Sequence, residues 1–201
     1  MNEKYELTEE FKEIETLREG WLQKIKVYRI RALRAFADVK IGDLGGFVET
    51  KQNLSNMGNA WVYGNAEVRD NAWVCGDAWV CGDAKVCNNA RVYGNARVCD
   101  NAKVYGNAEV CGDAKVCDNA NIFWCSSIGS RHATTTMFRN KDNGITVTCG
   151  CFMGTLEEFA ERVEKEHGEN IFGKEYKLLI ELAKIHFGLQ DETKGEEENG
   201  I

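Results

Sequence analysis

The amino-acid sequence predicts a mainly β protein in which short strands recur at a fixed interval. Three observations predict this class: a six-residue repeat occupies about a third of the 201 residues, one position of every unit is aliphatic, and proline is absent from the chain. A repeat of fixed length is typical of folds built from stacked, similar units. Proline lacks a backbone N–H, so its absence fits one long ladder of paired strands.

Composition and charge exclude several classes of function. Lys and Arg number 25 against 32 Asp and Glu, a net charge of −7, which argues against a nucleic-acid-binding surface because such surfaces need an excess of basic residues. The sequence has no run of the roughly 18 apolar residues that a membrane span needs, so we expect no membrane partner. The first residues lack the apolar core of a signal peptide. We therefore expect a cytoplasmic protein whose nine cysteines do not form a disulfide framework.

Residues 1–56 are predicted to form an N-terminal cap. Apolar residues at helical spacing predict a helix from Thr8 to Leu22. The segment from Lys24 to Lys40 then carries six basic residues and one acidic residue. One interpretation is a patch that binds phosphate or nucleic acid. The other, which we favour, is a strand that covers the open end of the repeat, because exposed strand edges invite aggregation.

The repeat runs from Met57 to Ile128, and the chemistry of each of its positions is readable. In the units up to Ile122, an Asn-Ala or Asp-Ala pair, often after Gly, stands before the aliphatic residue, with the alanine two positions ahead of it. Side chains alternate between the two sides of a strand, so the aliphatic residues and the small alanines face inward while the other neighbours face outward. Gly, Asn and Asp tolerate the left-handed backbone angles that a tight turn requires. The aliphatic positions are Val62, Val68, Val74, Val80, Val86, Val92, Val98, Val104, Val110, Val116, Ile122 and Ile128.

This pattern resembles the hexapeptide-repeat family of left-handed parallel β-helices. The resemblance implies a triangular prism with three hexapeptides in each coil, and coils stacked about 4.8 Å apart. Residues eighteen positions apart would then lie one above the other on the same face of the prism. We assign the left-handed parallel β-helix to residues 57–129.

Several large aromatic side chains are predicted to point outward from the first coils. Stacking at eighteen residues places Trp61, Tyr63 and Trp79 on one face of the prism and Trp73 on another. So many large rings are uncommon on a free surface. Two explanations remain open: the N-terminal segment covers them, or they form the interface of a homo-oligomer, a trimer being one option. The predicted interface residues are Trp61, Tyr63, Trp73, Trp79, Cys81 and Cys99.

A row of cysteines follows the same stacking. Cys81, Cys99 and Cys117 would lie on one face, one coil apart, with no histidine between them. A zinc site needs ligands that converge in a tetrahedron. We therefore interpret these cysteines as small fillers of a covered face, and we predict neither a metal nor a cofactor.

Enzymatic activity has little support in the sequence. Many hexapeptide-repeat proteins are acyltransferases, and the resemblance to them implies a catalytic histidine beside the prism, where it would act as a base. The histidines of this chain, His132, His167 and His186, all lie beyond the repeat. We therefore expect a protein that is not an enzyme. An acyl- or sugar-nucleotide-dependent transferase is the alternative.

Residues 130–188 are predicted to form a hairpin followed by two helices. Strands at Ala133–Arg139 and Ile145–Cys149 flank a turn sequence of the hairpin type. Thr155 and Glu158 have the spacing of a capping box, which predicts the start of the first helix. The C-terminal module is therefore predicted to be strand, strand, helix, helix.

The second helix is predicted from about Lys174 to His186, because apolar residues recur there at helical spacing. Its inward residues are predicted to be Tyr176, Leu179, Ile180 and Ala183. Residues 189–201 contain five acidic residues and one lysine. Such a composition predicts a disordered acidic tail.

The C-terminal module contains the best candidate site in the sequence. Free backbone N–H groups at the start of a helix attract anions, and we expect nearby arginines and threonines to converge on them. A phosphate-bearing ligand such as a nucleotide would suit this site, although ordinary capping and hairpin chemistry explains the same residues. The predicted ligand-binding residues are Arg131, Thr134, Thr135, Thr136, Arg139, Gly150, Gly154 and Thr155. Cys149 and Cys151 leave open a metal or redox pair, but two thiols alone do not fill a zinc site.

Four short motifs carry a second resemblance: Tyr28–Leu33, Asp43–Gly46, Gly129–Arg131 and Cys149–Thr155. They are similar to motifs in hexapeptide-repeat proteins of phages, prophages and gut bacteria, a likeness that implies no particular reaction. We therefore expect a non-enzymatic, oligomeric binding protein in the host cytosol. It would sequester a small anionic, nucleotide-like ligand or block a host defence protein. A structural spacer or a virion protein is a further alternative.

Overall fold

A solenoid, an N-terminal hairpin and a C-terminal sheet with two helices make up the protein. The computed structural model describes residues 3–18, 20–118 and 121–189. It confirms the mainly β fold class, with a β-solenoid of about 4 turns. Numbered along the chain, the strands are β1 (Tyr5–Arg18), β2 (Trp21–Ala32), β3 (Leu44–Val48), β4 (Trp61–Val62), β5 (Glu67–Val68), β6 (Trp73–Val74), β7 (Trp79–Val80), β8 (Lys85–Val86), β9 (Arg91–Val92), β10 (Arg97–Val98), β11 (Lys103–Val104), β12 (Glu109–Val110), β13 (Lys115–Val116), β14 (Ile122–Ile128), β15 (Ala133–Arg139), β16 (Ile145–Cys149) and β17 (Phe152–Thr155), and the helices are α1 (Leu156–His167) and α2 (Ile171–Phe187).

Three ladders of parallel strands form the sides of the solenoid. One ladder contains β3, β5, β8 and β11, a second contains β4, β7, β10 and β13, and a third contains β6, β9 and β12. From β4 onward the paired residues are eighteen positions apart, so that Val62 pairs with Val80 and Val80 with Val98. This stacking confirms the predicted assignment of residues to the three faces.

Valine and alanine side chains fill the interior of the solenoid. The valines from Val62 to Val116 are all 0% exposed, and the alanines from Ala60 to Ala114 are at most 1% exposed. Burial of each valine side chain contributes roughly 1.5–3 kcal/mol before the cost of ordering the chain. The predicted inward positions are therefore confirmed for these ten units.

The corners of the coils depend on residues that accept a left-handed backbone. Gly82 has a φ of +70°, and a β-carbon added there would lie 2.8 Å from the backbone nitrogen of Asp100 in the next coil. Asp70 and Asn88 occupy equivalent corners with φ values of 58° and 59°. The predicted role of Gly, Asn and Asp in the turns is confirmed, because these residues adopt positive φ at low cost.

The solenoid starts earlier and ends earlier than the repeat pattern indicates. Val48 is paired with β5 and Leu54 is bridged to β6, so both occupy positions of the first turn. At the other end, β14 runs antiparallel to β15 and does not join a ladder. Ile122 and Phe138 pack with the solenoid core, so this strand pair covers the open end of the column.

The predicted helix from Thr8 to Leu22 is wrong, because this segment forms a β-hairpin. Strands β1 and β2 are antiparallel, with Phe11 opposite Tyr28, and β2 pairs with β3. The first coil of a solenoid presents unpaired backbone N–H and C=O groups. A strand satisfies these groups and a helix cannot, so the edge of the sheet overrides the helical spacing of the apolar residues.

Basic residues between Lys24 and Lys40 make contacts within the N-terminal cap. Arg29 donates through Nη1 to the carbonyl oxygen of Gly45 over 2.8 Å, and its guanidinium lies 4.3 Å from the centre of the Phe47 ring. Arg31 forms an ion pair with a glutamate of β1. These contacts support the interpretation of the segment as a cap.

The N-terminal residues also bury Trp61, which the sequence places on an outer face. Trp61 is 1% exposed. The rings of Tyr5 and Phe36 lie edge-on against it, with centroid distances of 6.2 Å and 5.3 Å. For this residue the covering explanation is therefore correct, and Trp61 presents no surface to an oligomer partner.

A disulfide bond joins two adjacent coils, which corrects the expectation that these thiols are free fillers. Cys99 and Cys117 are bonded, and their Cα atoms are 4.4 Å apart. The eighteen-residue spacing stacks equivalent residues at a distance that a disulfide can span. The other seven cysteines are free.

The C-terminal module confirms the predicted hairpin and the start of the first helix. The two predicted strands are β15 and β16, with the predicted bounds. They form the middle of a 4-stranded antiparallel sheet that β14 and β17 complete, and these outer strands were not predicted. The hydroxyl of Thr155 accepts from the backbone N of Glu158 over 3.2 Å, and the Glu158 carboxylate accepts from the backbone N of Thr155 over 2.8 Å. The capping box is therefore present.

Helix α2 begins at Ile171, before the predicted Lys174. Asn170 caps it, because its side-chain oxygen accepts from the backbone N of Gly173 over 2.9 Å. The inward residues Tyr176, Leu179, Ile180 and Ala183 are buried as predicted. Residues 190–201, and with them the predicted acidic tail after Leu189, lie outside the described residues.

A buried lysine lies at the first coil. The side chain of Lys4 has no exposed surface, and its Nζ donates to the carbonyl oxygen of Ala60 over 2.8 Å. Burial, and then the charge of Arg34, lower the pKa of Lys4 from the usual 10.5 to about 8, while Asp77 opposes them. Between these two pH values the unfolded chain therefore holds a proton that the folded chain has lost.

We predict that raising the pH from about 8 to 10.5 stabilises the natural protein relative to a Lys4→Met variant. The sign follows because the unfolded state binds more protons than the folded state across this window, so proton removal favours folding. Urea unfolding at several pH values in the window measures the difference. Lys51→Met removes a half-exposed amine near the same end of the solenoid and is the matched control. An equal effect in both variants would contradict the assignment to Lys4.

Candidate ligand-binding cleft

A cleft of about 370 Å³ lies in the C-terminal module. Four segments line it: the turn between β14 and β15, the turn between β16 and β17, α1 from Phe159 to its end at His167, and the first half of α2. Its volume lies in the range of sites that bind small molecules. The residues that carry its chemistry are Arg131, Cys149, Cys151, Arg162, His167 and Tyr176.

Two arginines give the cleft a positive side. Arg131 comes from the turn between β14 and β15, and Arg162 comes from α1. Glu166, one turn further along α1, also lines the cleft and pairs with Arg162 over 2.6 Å between Oε1 and Nε, so Arg131 is the arginine of the cleft that no such pair neutralises among the described residues. The cleft therefore favours an anionic ligand, because arginine binds carboxylate and phosphate oxygens through charge-assisted hydrogen bonds.

An aromatic cluster forms the apolar wall of the cleft. The ring of Phe159 lies 5.3 Å from that of Phe152 and 5.5 Å from that of Tyr176, measured between centroids. The His167 ring lies 5.7 Å from the Tyr176 ring, with 31° between their planes. Flat rings of this kind are suited to contact a planar group of a ligand. Positive charge and an apolar aromatic wall thus meet in one cavity.

The polar atoms on the floor of the cleft have partners within the protein. The hydroxyl of Tyr176 lies 3.7 Å from Sγ of Cys149, and Oγ1 of Thr135 donates to the same sulfur over 3.2 Å. Burial raises the pKa of Tyr176, and the contact with Cys149 raises it further. The phenol therefore stays protonated at neutral pH, where it is a hydrogen-bond donor and not a base.

Two of the predicted ligand-binding residues line the cleft, and a third lies beside it. Arg131 and Gly150 are part of the cleft wall. Thr134 lies in an adjoining open depression, which it shares with His132 and Gly150. Its hydroxyl is 2.9 Å from the hydroxyl of Ser126. The turn regions that the sequence singled out are therefore brought together.

Thr135, Thr136 and Arg139 serve the sheet instead of the cleft. Both threonines are buried, and Oγ1 of Thr136 accepts from the backbone N of Glu109 over 3.2 Å. Arg139 lies at the opposite end of β15, where it donates through Nη2 to the carbonyl oxygen of Phe187 over 2.6 Å. A seven-residue strand spans roughly 20 Å, so residues at its two ends do not converge on one ligand.

The start of α1 is occupied by the chain itself. A β-carbon added to Gly154 would lie 2.5 Å from Oε2 of Glu158. The same carboxylate accepts the backbone N–H of Thr155. Because a capping carboxylate takes the place that an external anion would occupy, Gly154 and Thr155 belong to a helix cap and not to the cleft.

Three cleft residues were missed by sequence reasoning: Arg162, His167 and Tyr176. Arg162 and His167 lie at the margins of the apolar faces from which the helices were predicted, whereas Tyr176 was predicted as an inward core residue and lines the cleft as well. A signal was nevertheless present, because Arg162 follows the inward Phe159 by three positions and therefore shares its side of α1.

The thiols of the cleft do not form a metal-ligand cluster among the described residues. Cys149 and Cys151 both line the cleft. In the described ranges, the group of three potential ligands within 4.8 Å of one another is Cys99, Asp100 and Cys117, on the solenoid. The two cysteines of that group form the disulfide.

The other predicted interface residues lie on two faces of the solenoid. Tyr63 donates its hydroxyl to Asp38 over 2.8 Å and packs 5.4 Å from Trp79, and both rings are half-buried. Cys81 is half-buried on the same face, and Trp73 is 44% exposed on another. An oligomer interface through these residues stays a prediction.

No known protein-family model matches the chain, and no curated protein matches it. No helix in the described part of the chain is both long and apolar enough to cross a membrane. The protein is therefore classified by its fold, as a β-solenoid with a C-terminal module that contains a cleft.

Gly129 and Gly150 differ in how closely α2 packs against them. Gly129 and Gly150 have similar positive φ values, +71° and +60°. A β-carbon on Gly129 would overlap the hydroxyl group of Tyr176, whereas no atom lies within 4 Å of the β-carbon position of Gly150. The backbone N of Gly129 also donates to Glu175 of α2 over 3.0 Å.

We predict that Gly129→Ala lowers the free energy of unfolding by about 2 kcal/mol more than Gly150→Ala does. Both variants carry the cost of a left-handed alanine, about 1–2 kcal/mol, so the difference reports the overlap with Tyr176. Urea or thermal unfolding of the two variants measures it. Equal losses would show that Tyr176 is not held against Gly129.

Proposed function

We propose that this protein is a non-enzymatic, oligomeric binding protein that sequesters a small anionic ligand with a planar group, such as a nucleotide. One observation carries the proposal: Arg131 and Arg162 meet an aromatic wall in a cleft of about 370 Å³. Phosphate and a flat base are the ligand features that match these two kinds of side chain.

The placement of Arg131 supports a phosphate site. Arg131 follows the turn at Gly129, whose backbone N–H is held by Glu175, and that turn is packed against Tyr176. Because these two contacts hold the backbone of the turn in place, less conformational entropy is lost when Arg131 binds a ligand. Its planar fork can bind two phosphate oxygens at once.

The aromatic wall supports a planar group next to the phosphate. Phe152, Phe159 and His167 all line the cleft. A base stacked on side chains of this kind gains roughly 1–3 kcal/mol. The wall and the arginines lie in the same cavity, so one nucleotide-sized ligand can contact both.

The sequence motifs suggest what the protein would achieve by binding such a ligand. Their resemblance to hexapeptide-repeat proteins of phages and prophages favours a binder that removes a nucleotide signal from the host cytosol, or one that blocks a host defence protein. The solenoid would serve as a rigid scaffold that presents the C-terminal module. This role extends the ligand-binding proposal and depends on it.

We predict that nucleotides bind the cleft and raise the unfolding temperature. The panel should contain AMP, ADP and cyclic dinucleotides, with adenosine and inorganic phosphate as probes of each half of the ligand. A ligand at about 100 times its Kd stabilises the folded state by about 2.7 kcal/mol. Nucleotides should exceed both adenosine and phosphate. The absence of any shift across the panel would refute ligand binding.

Variants assign the binding to the cleft. Arg131→Gln and Arg162→Gln should each raise the Kd by about tenfold or more, since each removes a charge-assisted contact. Arg91→Gln is the matched control, because Arg91 is an exposed arginine on a face of the solenoid. An equal loss of affinity in the control would mean that the nucleotide binds through general electrostatics.

A further inference from the structure

The outward side of α2 carries a continuous apolar stripe. Leu178 is 72% exposed and Ile185 is 77% exposed. The large apolar residues on this side of the helix and just beyond its end are Ile171, Leu178, Leu182, Ile185 and Leu189. Steps of three, four and seven residues keep side chains in one row on a helix. Helices pack on one another through rows with this spacing.

Helix α2 is apolar on its opposite side as well. Its buried residues, from Tyr176 to Phe187, pack in the core of the C-terminal module. A helix that is apolar on both sides is typical of a helix covered by protein on both sides. In the described part of the chain only one side of α2 is covered, so the stripe requires an additional partner surface.

The chain that follows α2 does not match the stripe. Residues 190–201 contain five acidic residues and one lysine, and their one large apolar residue is Ile201. An acidic segment gains little by contact with a row of leucines and isoleucines, because its charges would lose water. A surface with the same apolar row is a better match, and a second copy of α2 provides it.

Charges beside the stripe specify the direction of that pairing. Lys174 and Glu181 lie on the same flank of the stripe, one in the first half of α2 and one in the second. In an antiparallel pair the same flank of the two helices meets, so Lys174 of each copy faces Glu181 of the other, whereas in a parallel pair this flank meets the opposite flank of the partner helix. Antiparallel helices also place each positive N-terminus beside a negative C-terminus. In the single chain Glu181 accepts from Lys184 over 2.8 Å.

We propose that α2 forms the contact of a two-fold dimer, in which its apolar stripe packs antiparallel on the same stripe of a second copy. The pairing of Lys174 with Glu181 places the two-fold axis next to Leu178, close to the middle of the helix. This interface gives the oligomeric part of the proposed function a surface. It is independent of the ligand, because none of the stripe residues lines the cleft.

Sedimentation of the full chain tests the interface. The natural protein should be a dimer at micromolar concentration, and Leu178→Lys should raise the dimer Kd by more than about 100-fold, as loss of a central apolar anchor does. Leu22→Lys is the matched control, because Leu22 is a 67% exposed leucine on β2. The control should remain a dimer. Circular dichroism should show both variants folded, since both side chains are exposed.

A charge exchange tests the direction. Lys174→Glu should raise the Kd by about tenfold, and Lys174→Glu combined with Glu181→Lys should restore it. In a parallel dimer this flank of one helix meets the opposite flank of the other, so Lys174 and Glu181 do not meet and the double variant would not recover the affinity. Unchanged affinity in the single variant, or no recovery in the double variant, would overturn the antiparallel arrangement.

The remaining outcomes separate this inference from the proposed function. A monomer or a trimer at about 100 μM would overturn the two-fold dimer. If Leu178→Lys leaves the dimer Kd unchanged, the α2 interface is overturned, and the solenoid faces that carry Trp73 and Trp79 become the alternative interface. Nucleotide binding is measured separately through Arg131, so its failure would leave the dimer result intact.

Discussion

Everything in this structure depends on the stacking of one coil on the next in strict register. Each coil bonds to its neighbour through backbone groups, as between Trp61 N and the Ala78 carbonyl oxygen over 3.0 Å. In the interior of the solenoid, each side chain stacks on the equivalent side chain of the next coil. The residues that fill these positions are valine on the strands and alanine near the corners. Because this arrangement repeats without a change of register, chemically specific residues are confined to the outer faces and to the two ends of the column.

A column of this kind has two open ends, and both are covered by antiparallel strands. At the first coil, β2 pairs with β3, and Lys4 and Trp61 become buried beneath the N-terminal residues. At the last coil, β14 leaves the repeat and turns back against β15. The covers are therefore part of the fold that the solenoid needs. The second cover also carries the cleft.

The C-terminal module places two different surfaces on one helix. Tyr176 points into the module and lines the cleft, while Leu178 points outward on the apolar stripe. Glu175, between them, holds the turn that precedes Arg131. The stripe and part of the cleft wall thus lie on opposite sides of one helix. The residues that line the 370 Å³ cleft all come from the C-terminal module.

Local sequence patterns were sufficient to predict the parts of the fold whose conformation depends on interactions between residues close together in the chain. The inward valines, the turns, the bounds of β15 and β16 and the capping box of Thr155 all follow from spacing, backbone preference and short-range hydrogen bonds, which a sequence states directly. The helix expected at Thr8–Leu22 is wrong because this segment pairs with β2, most of which follows it in the chain, and β2 in turn pairs with β3.

The same distinction applies to the candidate site. Arg131 and Gly150 could be identified from the sequence because turns display their chemistry locally. Arg139 already stood at the far end of the predicted strand Ala133–Arg139, and the structure shows that this end does not reach the cleft. Arg162 and Tyr176 reach the cleft only because α1 and α2 fold over the sheet. The repeat, its faces and its turns were thus determined by the sequence alone. The covers, the disulfide and the membership of the cleft were decided by tertiary structure, because they depend on contacts between segments that are distant in the chain.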